Sequence, residues 1–130
     1  MRALLDTCCI IWAVSDPASL SPLATETLEA EDSEIFISAI SAAEIACAAT
    51  RGRIILDRHW KSWLKFALTA NQWYVEEISL AIIEEAYSLP DTFHSDPADR
   101  ILVATARLNN YILLTADRKL IEYPHVQTIW

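Results

Sequence analysis

The chain has 1 glycine in 130 residues, Gly52. A glycine-rich phosphate loop needs several, so the nucleotide-binding folds built on such loops are excluded. No apolar stretch approaches the roughly 18 residues that mark a membrane span, so no membrane contact is expected. The N-terminus, Met1-Arg2-Ala3-Leu4-Leu5-Asp6, lacks the apolar core and cleavage site of a secretion signal, so a cytoplasmic location is expected. Cysteine is scarce and odd in number: Cys8, Cys9 and Cys47 have no ligand spacing and read as reduced core thiols. Positive charge is also short, with 10 Lys and Arg against 18 Asp and Glu and a net charge of −8, which argues against a generally basic nucleic-acid surface.

What remains is apolar and patterned. Hydrophobic residues make up 53% of the chain, enough for residues 1–130 to form a single domain around one core. Short apolar runs alternate with helical stretches throughout. Strands are predicted at Ala3-Leu4-Leu5, Ile35-Phe36-Ile37, Trp73-Tyr74-Val75, 111–115 and 126–130. Ser21-Pro22, Ser79 and Asp96-Pro97 each carry the signature of a helix start. Ser41 and Asp57 are predicted to cap two further helices, the first stopping at Gly52. In the second, Trp60, Trp63, Leu64 and Ala67 share one face, and in the helix after Asp96 so do Ile101, Ala104, Thr105 and Leu108. Strand–helix alternation of this kind predicts an α/β fold, a three-layer α/β/α sandwich on a central, mostly parallel five-stranded sheet.

Four acids then fall in a pattern. Asp6 and Asp117 lie at or just past the C-terminal ends of buried strands, while Glu44 and Asp99 lie in the first turns of helices. In a parallel sheet those positions share one edge, the edge at which ligands bind. Each acid also has a purely local reading. Asp6 and Asp117 are placed to cap the helices that follow them, and Ser41-x-x-Glu44 matches a capping box. Asp96 is the natural cap of its helix and leaves Asp99 free, with Arg100 beside it to pair with an acid or face a phosphate. The convergence of four segments on one edge decides between these readings. Two like charges about 4 Å apart repel by roughly 4 kcal/mol at an effective dielectric near 20, so such a cluster needs shared protons or a bound cation, a divalent metal being the simpler answer. All-oxygen ligation points to Mg²⁺ or Mn²⁺ rather than zinc, since His59, His94 and His125 form no pattern, although His94 is near enough to Asp96 to approach the site.

A basic strip accompanies the acids. Arg51, Arg53, Arg58, Lys61 and Lys65 face only Asp57 within residues 51–65, a local charge of +4 that leaves −12 elsewhere. It is read either as a solvated helix face or as a flank that holds a polyanion beside the acidic pocket, Arg51, Arg53, Arg58 and Lys61 being the candidates for contact. Carboxylate-bound metal next to a polyanion implies phosphoryl chemistry.

The ordered set Leu4-Leu5-Asp6-Thr7, Trp12-Ala13, Ser38-Ala39 through Ser41-Ala42-Ala43-Glu44-Ile45-Ala46, Asp96-Pro97-Ala98-Asp99-Arg100-Ile101, Leu113-Leu114-Thr115-Ala116-Asp117 and Ile129-Trp130 resembles the PIN-domain family, specifically its VapC-type toxin ribonucleases. The resemblance spans essentially the whole chain. It implies an endoribonuclease in which Asp6, Glu44, Asp99 and Asp117 are catalytic and hold one or two Mg²⁺ or Mn²⁺ ions, RNA being cut by a metal-activated water. Thr7, Asp96, Arg100 and Thr115 would support those ligands. Cys8-Cys9 departs from the His or aliphatic residues common at that point of the family pattern. A homodimer is implied, with a cognate antitoxin whose C-terminal segment blocks the site. The Trp60/Trp63 face would belong to that groove, to the dimer contact or to the core. An RNA-binding PIN module without catalysis is the alternative, opposed by the presence of all four acids. Two other acidic pockets on parallel sheets are excluded. A receiver domain needs a lysine after its last strand, and a haloacid-dehalogenase-type phosphatase needs Asp-x-Asp where Asp6-Thr7-Cys8 stands.

Overall fold

Five short strands give this chain its frame, and a computed structural model describes all of its residues, 1–130. β1 (Arg2–Leu5) leads to α1 (Thr7–Ser15), a 3₁₀ turn at Pro17–Ser19 and α2 (Pro22–Glu29). β2 (Glu34–Ser38) is followed by α3 (Ala39–Thr50) and α4 (Trp60–Asn71), and β3 (Tyr74–Glu76) by α5 (Leu80–Ala86) and α6 (Pro97–Asn109). β4 (Ile112–Leu114), α7 (Arg118–Ile121) and β5 (Thr128–Ile129) close the chain. Every strand pair is parallel and the order is β3-β2-β1-β4-β5. The chain thus winds outward from β1 through β2 to β3, then returns to β4 on the other side. The winding changes direction between β1 and β4, and a crevice opens beyond the strand ends at such a point.

Alternation along the strands builds the two helical layers. Ala3 and Leu5 of β1 face one side, with Ile35 and Ile37 of β2, and pack on Cys9, Ile10, Ala24, Ile45, Trp63 and Ala67 from α1 to α4. Leu4 faces the other side, where Leu113, Leu102, Val103, Ala106, Tyr111 and Leu120 close over it. Leu4, Leu5, Leu113 and Leu114 are entirely buried, each such side chain contributing about 1.5–3 kcal/mol. α5 joins the second layer through α6, with Ile82 and Ala86 set against Ile101 and Ala104.

Two helix starts differ from the sequence expectation, for local reasons. α3 begins one turn earlier, at Ala39, because the Ser38 hydroxyl accepts from the Ile40 N–H at 3.1 Å. Ser41 is therefore inside the helix, and its capping box with Glu44 does not form. α4 is capped by His59, whose Nδ1 accepts from the Lys61 N–H at 3.2 Å, and the expected cap, Asp57, pairs with Arg58 instead. Leu108, expected on the buried stripe of α6, is exposed, whereas Ile101, Ala104 and Thr105 are buried. Of the cysteines, Cys9 alone is a core thiol, pushed up to about 12 by burial; Cys8 and Cys47 are exposed. Gly52 does stop α3, taking a positive φ of 71° just past its end.

Candidate active site

At the crevice between β1 and β4 a cavity of about 680 Å³ is lined by five carboxylates, Asp6, Glu44, Asp96, Asp99 and Asp117. Arg53 is the one basic residue in its wall; Ile11, Trp12 and Ile54 form an apolar side, and Cys8 and Cys47 complete it. A smaller cavity of about 310 Å³, beside Arg107 and His125, gathers no comparable set of acids.

Each acid is set by a local device as well as by the sheet. Asp6 caps α1, its Oδ1 accepting from the Thr7 N–H at 2.8 Å. Its Oδ2 accepts from the Thr115 hydroxyl at 2.7 Å, and the Asp6 N–H donates to the Leu114 carbonyl at 3.0 Å, continuing the β1–β4 ladder. The Thr115 oxygen in turn accepts from the Asp117 N–H at 3.0 Å, while Asp117 Oδ1 caps α7 through Lys119 N–H. Capping and site-building are therefore not alternatives: Asp6 and Asp117 each satisfy a helix end through one carboxyl oxygen and still line the crevice.

Glu44 is held from α1. Thr7 donates its hydroxyl proton to Glu44 Oε1 and lies 2.8 Å from the Ser41 hydroxyl, which is fully buried. A hydroxyl carries one proton, so with Glu44 ionised it is Ser41 that donates to Thr7. Ser41 is the site residue that sequence reasoning assigned elsewhere; its spacing to Glu44 was the signal, read there as a cap.

Asp96 caps α6 through Ala98 N–H at 3.0 Å and still reaches the cavity. Asp99, one turn into α6, meets His94, whose Nε2 lies 2.7 Å from Asp99 Oδ2. Arg100 turns the other way. Its guanidinium donates to the carbonyls of Ala86 and Phe93, both at 2.9 Å, and lies over the rings of Tyr87 and Phe93. It pairs with no acid, because its two terminal nitrogens are directed at backbone carbonyls, one at the end of α5 and one on the α5–α6 connection.

The electrostatics of the cavity follow from burial and like charge. Burial pushes Asp6, Glu44 and Asp99 above the ordinary carboxylate range. The hydrogen bonds from Thr115 and Thr7 lower Asp6, that from Thr7 lowers Glu44 and that from His94 lowers Asp99, while neighbouring acids raise all three. The donor set is oxygen-rich, partly desolvated and short of positive side chains, which fits a hard divalent cation. The residues present therefore suit Mg²⁺ or Mn²⁺.

The basic strip divides. Arg53 joins the cavity wall. Arg58 is taken by Asp57 through two 3.0 Å bonds and lies over Phe66, and Lys61 sits over Trp60. Arg51 is exposed outside the cavity. Trp63 is buried in the core, whereas Trp60 is partly open beside Ile54, Ile55 and Leu56. No helix is long and apolar enough to cross a membrane.

An all-parallel 3-2-1-4-5 sheet with acids gathered at its switch point is the architecture of a PIN domain, and the PIN domain family model matches residues 3–126. The chain belongs to the PIN domain family. It is 35% identical over 129 residues to Ribonuclease VapC22 of Mycobacterium tuberculosis (strain ATCC 25618 / H37Rv), covering 98% of this chain and 97% of that one. Among solved structures it is similar to VapBC2 from Rickettsia felis bound to a DNA fragment from their promoter, with a TM-score of 0.74, 17% identity and coverage of 99% and 98%. It is also similar to a toxin–antitoxin complex from Klebsiella pneumoniae, with a TM-score of 0.68, 25% identity and coverage of 98% and 96%.

Proposed function

We propose that this chain is an endoribonuclease dependent on Mg²⁺ or Mn²⁺ and the toxin of a toxin–antitoxin pair, its residues 1–130 acting as one domain. The observation that carries this reading is the cavity itself, with five carboxylates against one guanidinium. Kinship with a ribonuclease along nearly the whole chain supplies the substrate class, and structural likeness to toxin–antitoxin complexes supplies the partner.

Asp6, Glu44, Asp99 and Asp117 would hold the cation, with Asp96 at the same wall. A bound divalent cation supplies charge neutralisation and polarisation of a phosphodiester. The protein's own residues do the rest. Thr115 fixes Asp6, and the Thr7–Ser41 pair fixes Glu44, so the carboxylates enter the crevice already oriented. Arg53 is placed to meet a phosphate of the bound RNA, and the Ile11–Trp12 wall gives a base an apolar surface. The acidic crevice would also receive an antitoxin arginine, whose guanidinium pairs bidentately with carboxylates.

The test is to incubate purified protein with total RNA and Mg²⁺ or Mn²⁺, then map new 5′ ends. Discrete ends that vanish with EDTA are expected. RNA binding without new ends, from folded protein that binds Mn²⁺, would instead favour the RNA-binding module without catalysis.

A further inference from the structure

His94 lies on the connection between α5 and α6, a segment fixed at several points. Arg100 Nη1 and Nη2 take the Ala86 and Phe93 carbonyls at 2.9 Å each. The Tyr123 hydroxyl donates to the Pro90 carbonyl, and Asp91, in the left-handed region at φ 58°, pairs with His125 Nε2 at 2.6 Å. The His94 ring itself stacks near Phe93, with centroids 4.2 Å apart. A histidine held this way is not a free surface side chain. Its Nε2 is delivered 2.7 Å from Asp99 Oδ2.

Direction follows from chemistry. An ionised carboxylate only accepts, so Nε2 carries the hydrogen and donates. Asp99 lines the acidic cavity and His94 does not. The imidazole therefore meets Asp99 without itself entering the cavity wall. One donor atom each of His94, Asp96 and Asp99 lie within 4.8 Å of one another, close enough to share an ion, so positioning by the ring and direct ligation by it are the two roles that the experiment below separates.

We propose that His94 is a positioning residue of the metal centre: its Nε2–H holds one oxygen of Asp99 and turns the carboxylate toward the cation. This rests on the acids forming a divalent-cation centre, as set out above. A freely rotating Asp99, repelled by Asp96 and Asp117, would have no reason to keep one oxygen in the cavity. Outer partners of ligating carboxylates typically change metal affinity by about 10–100-fold when removed.

The experiment is Mn²⁺ binding to the whole purified chain, followed by electron paramagnetic resonance and calorimetry, with folding checked by circular dichroism without metal. His94→Gln places an amide N–H where Nε2 stands, and the shorter His94→Asn does not reach it. The expected result is a loss of about 10–100-fold in Mn²⁺ affinity for His94→Asn, largely recovered in His94→Gln. No ¹⁴N hyperfine coupling to Mn²⁺ is expected in the wild type. Three results would overturn the role: wild-type affinity in His94→Asn, equal weakness in both variants, or a ¹⁴N coupling that makes the ring a direct ligand. If the wild type itself fails to bind Mn²⁺, the metal-centre reading falls, and the role of His94 with it.

Discussion

The Thr115 hydroxyl donates to Asp6 Oδ2 at 2.7 Å, joining residues that are 109 positions apart in sequence. Because β1 and β4 are adjacent and parallel, the residues that leave their C-terminal ends meet at the crevice. One hydroxyl thus ties the first acid to the last, since Thr115 also accepts from Asp117 N–H.

Thr115→Val keeps the volume of this fully buried side chain and removes both bonds. Loss of the donor should push Asp6 further above its ordinary range, because the Thr115 bond is the larger of the two hydrogen bonds that lower it. Mn²⁺ affinity should fall by about 10–100-fold, and Thr115→Ser should retain most of it. Calorimetric titration of the three proteins checks this.

The pH dependence of the metal-free protein has a definite sign. Asp6 and Asp99 are raised above 3.8 and Glu44 above 4.5, chiefly by burial. The folded state therefore binds more protons than the unfolded state once pH exceeds about 4, and stability falls as pH rises through the raised values. A divalent cation binds the ionised acids, so the rise in Tm that Mn²⁺ produces should grow over the same range. Thermal melts with EDTA or with Mn²⁺, from pH 4 to 8, measure both trends. Glu44→Gln should flatten each of them.

Arg53 and Arg58 are separable. Arg53 lines the acidic cavity, whereas Arg58 is committed to Asp57 and Phe66. Arg53→Gln should weaken RNA binding and reduce the slope of log affinity against log salt by about 1, as expected for one lost phosphate contact. Arg58→Gln should leave that slope in place. Filter binding at several salt concentrations, with EDTA present to prevent cleavage, distinguishes the two.

Trp63 carries the α4 side of the core and is 1% exposed. Trp63→Ala should cost about 3–5 kcal/mol of stability in urea denaturation, the range for deleting a large buried aromatic side chain. Trp60→Ala, at a partly open position, should cost less.

Much of this arrangement is legible in sequence because the strands are continuous apolar runs and the helices carry their own caps. Leu4-Leu5-Asp6 and Leu113-Leu114-Thr115 announce both a buried strand and its polar end, so the edge that collects Asp6 and Asp117 follows from alternation alone. Ser21, Ser79 and Asp96 cap helices as their side-chain chemistry indicates. What sequence conceals is choice among neighbouring donors. Ser38 and Ser41 are both competent caps, and the buried Thr7 hydroxyl, 34 residues away from Ser41, draws the latter into the site. Arg100 directly follows Asp99 in sequence, yet helical geometry turns it toward the carbonyls of Ala86 and Phe93. His94 gains a role only when the α5–α6 connection folds back on Asp99.

The most direct measurement is the cleavage rate of one RNA with a mapped cut site, in Mn²⁺, for the wild type and for Asp6→Asn, Glu44→Gln, Asp99→Asn and Asp117→Asn. All four variants should remain folded and lose more than the roughly 100-fold that removal of an outer partner can cost. Full activity in folded Asp6→Asn, or cleavage that persists in EDTA, would contradict a metal-dependent site built on these acids.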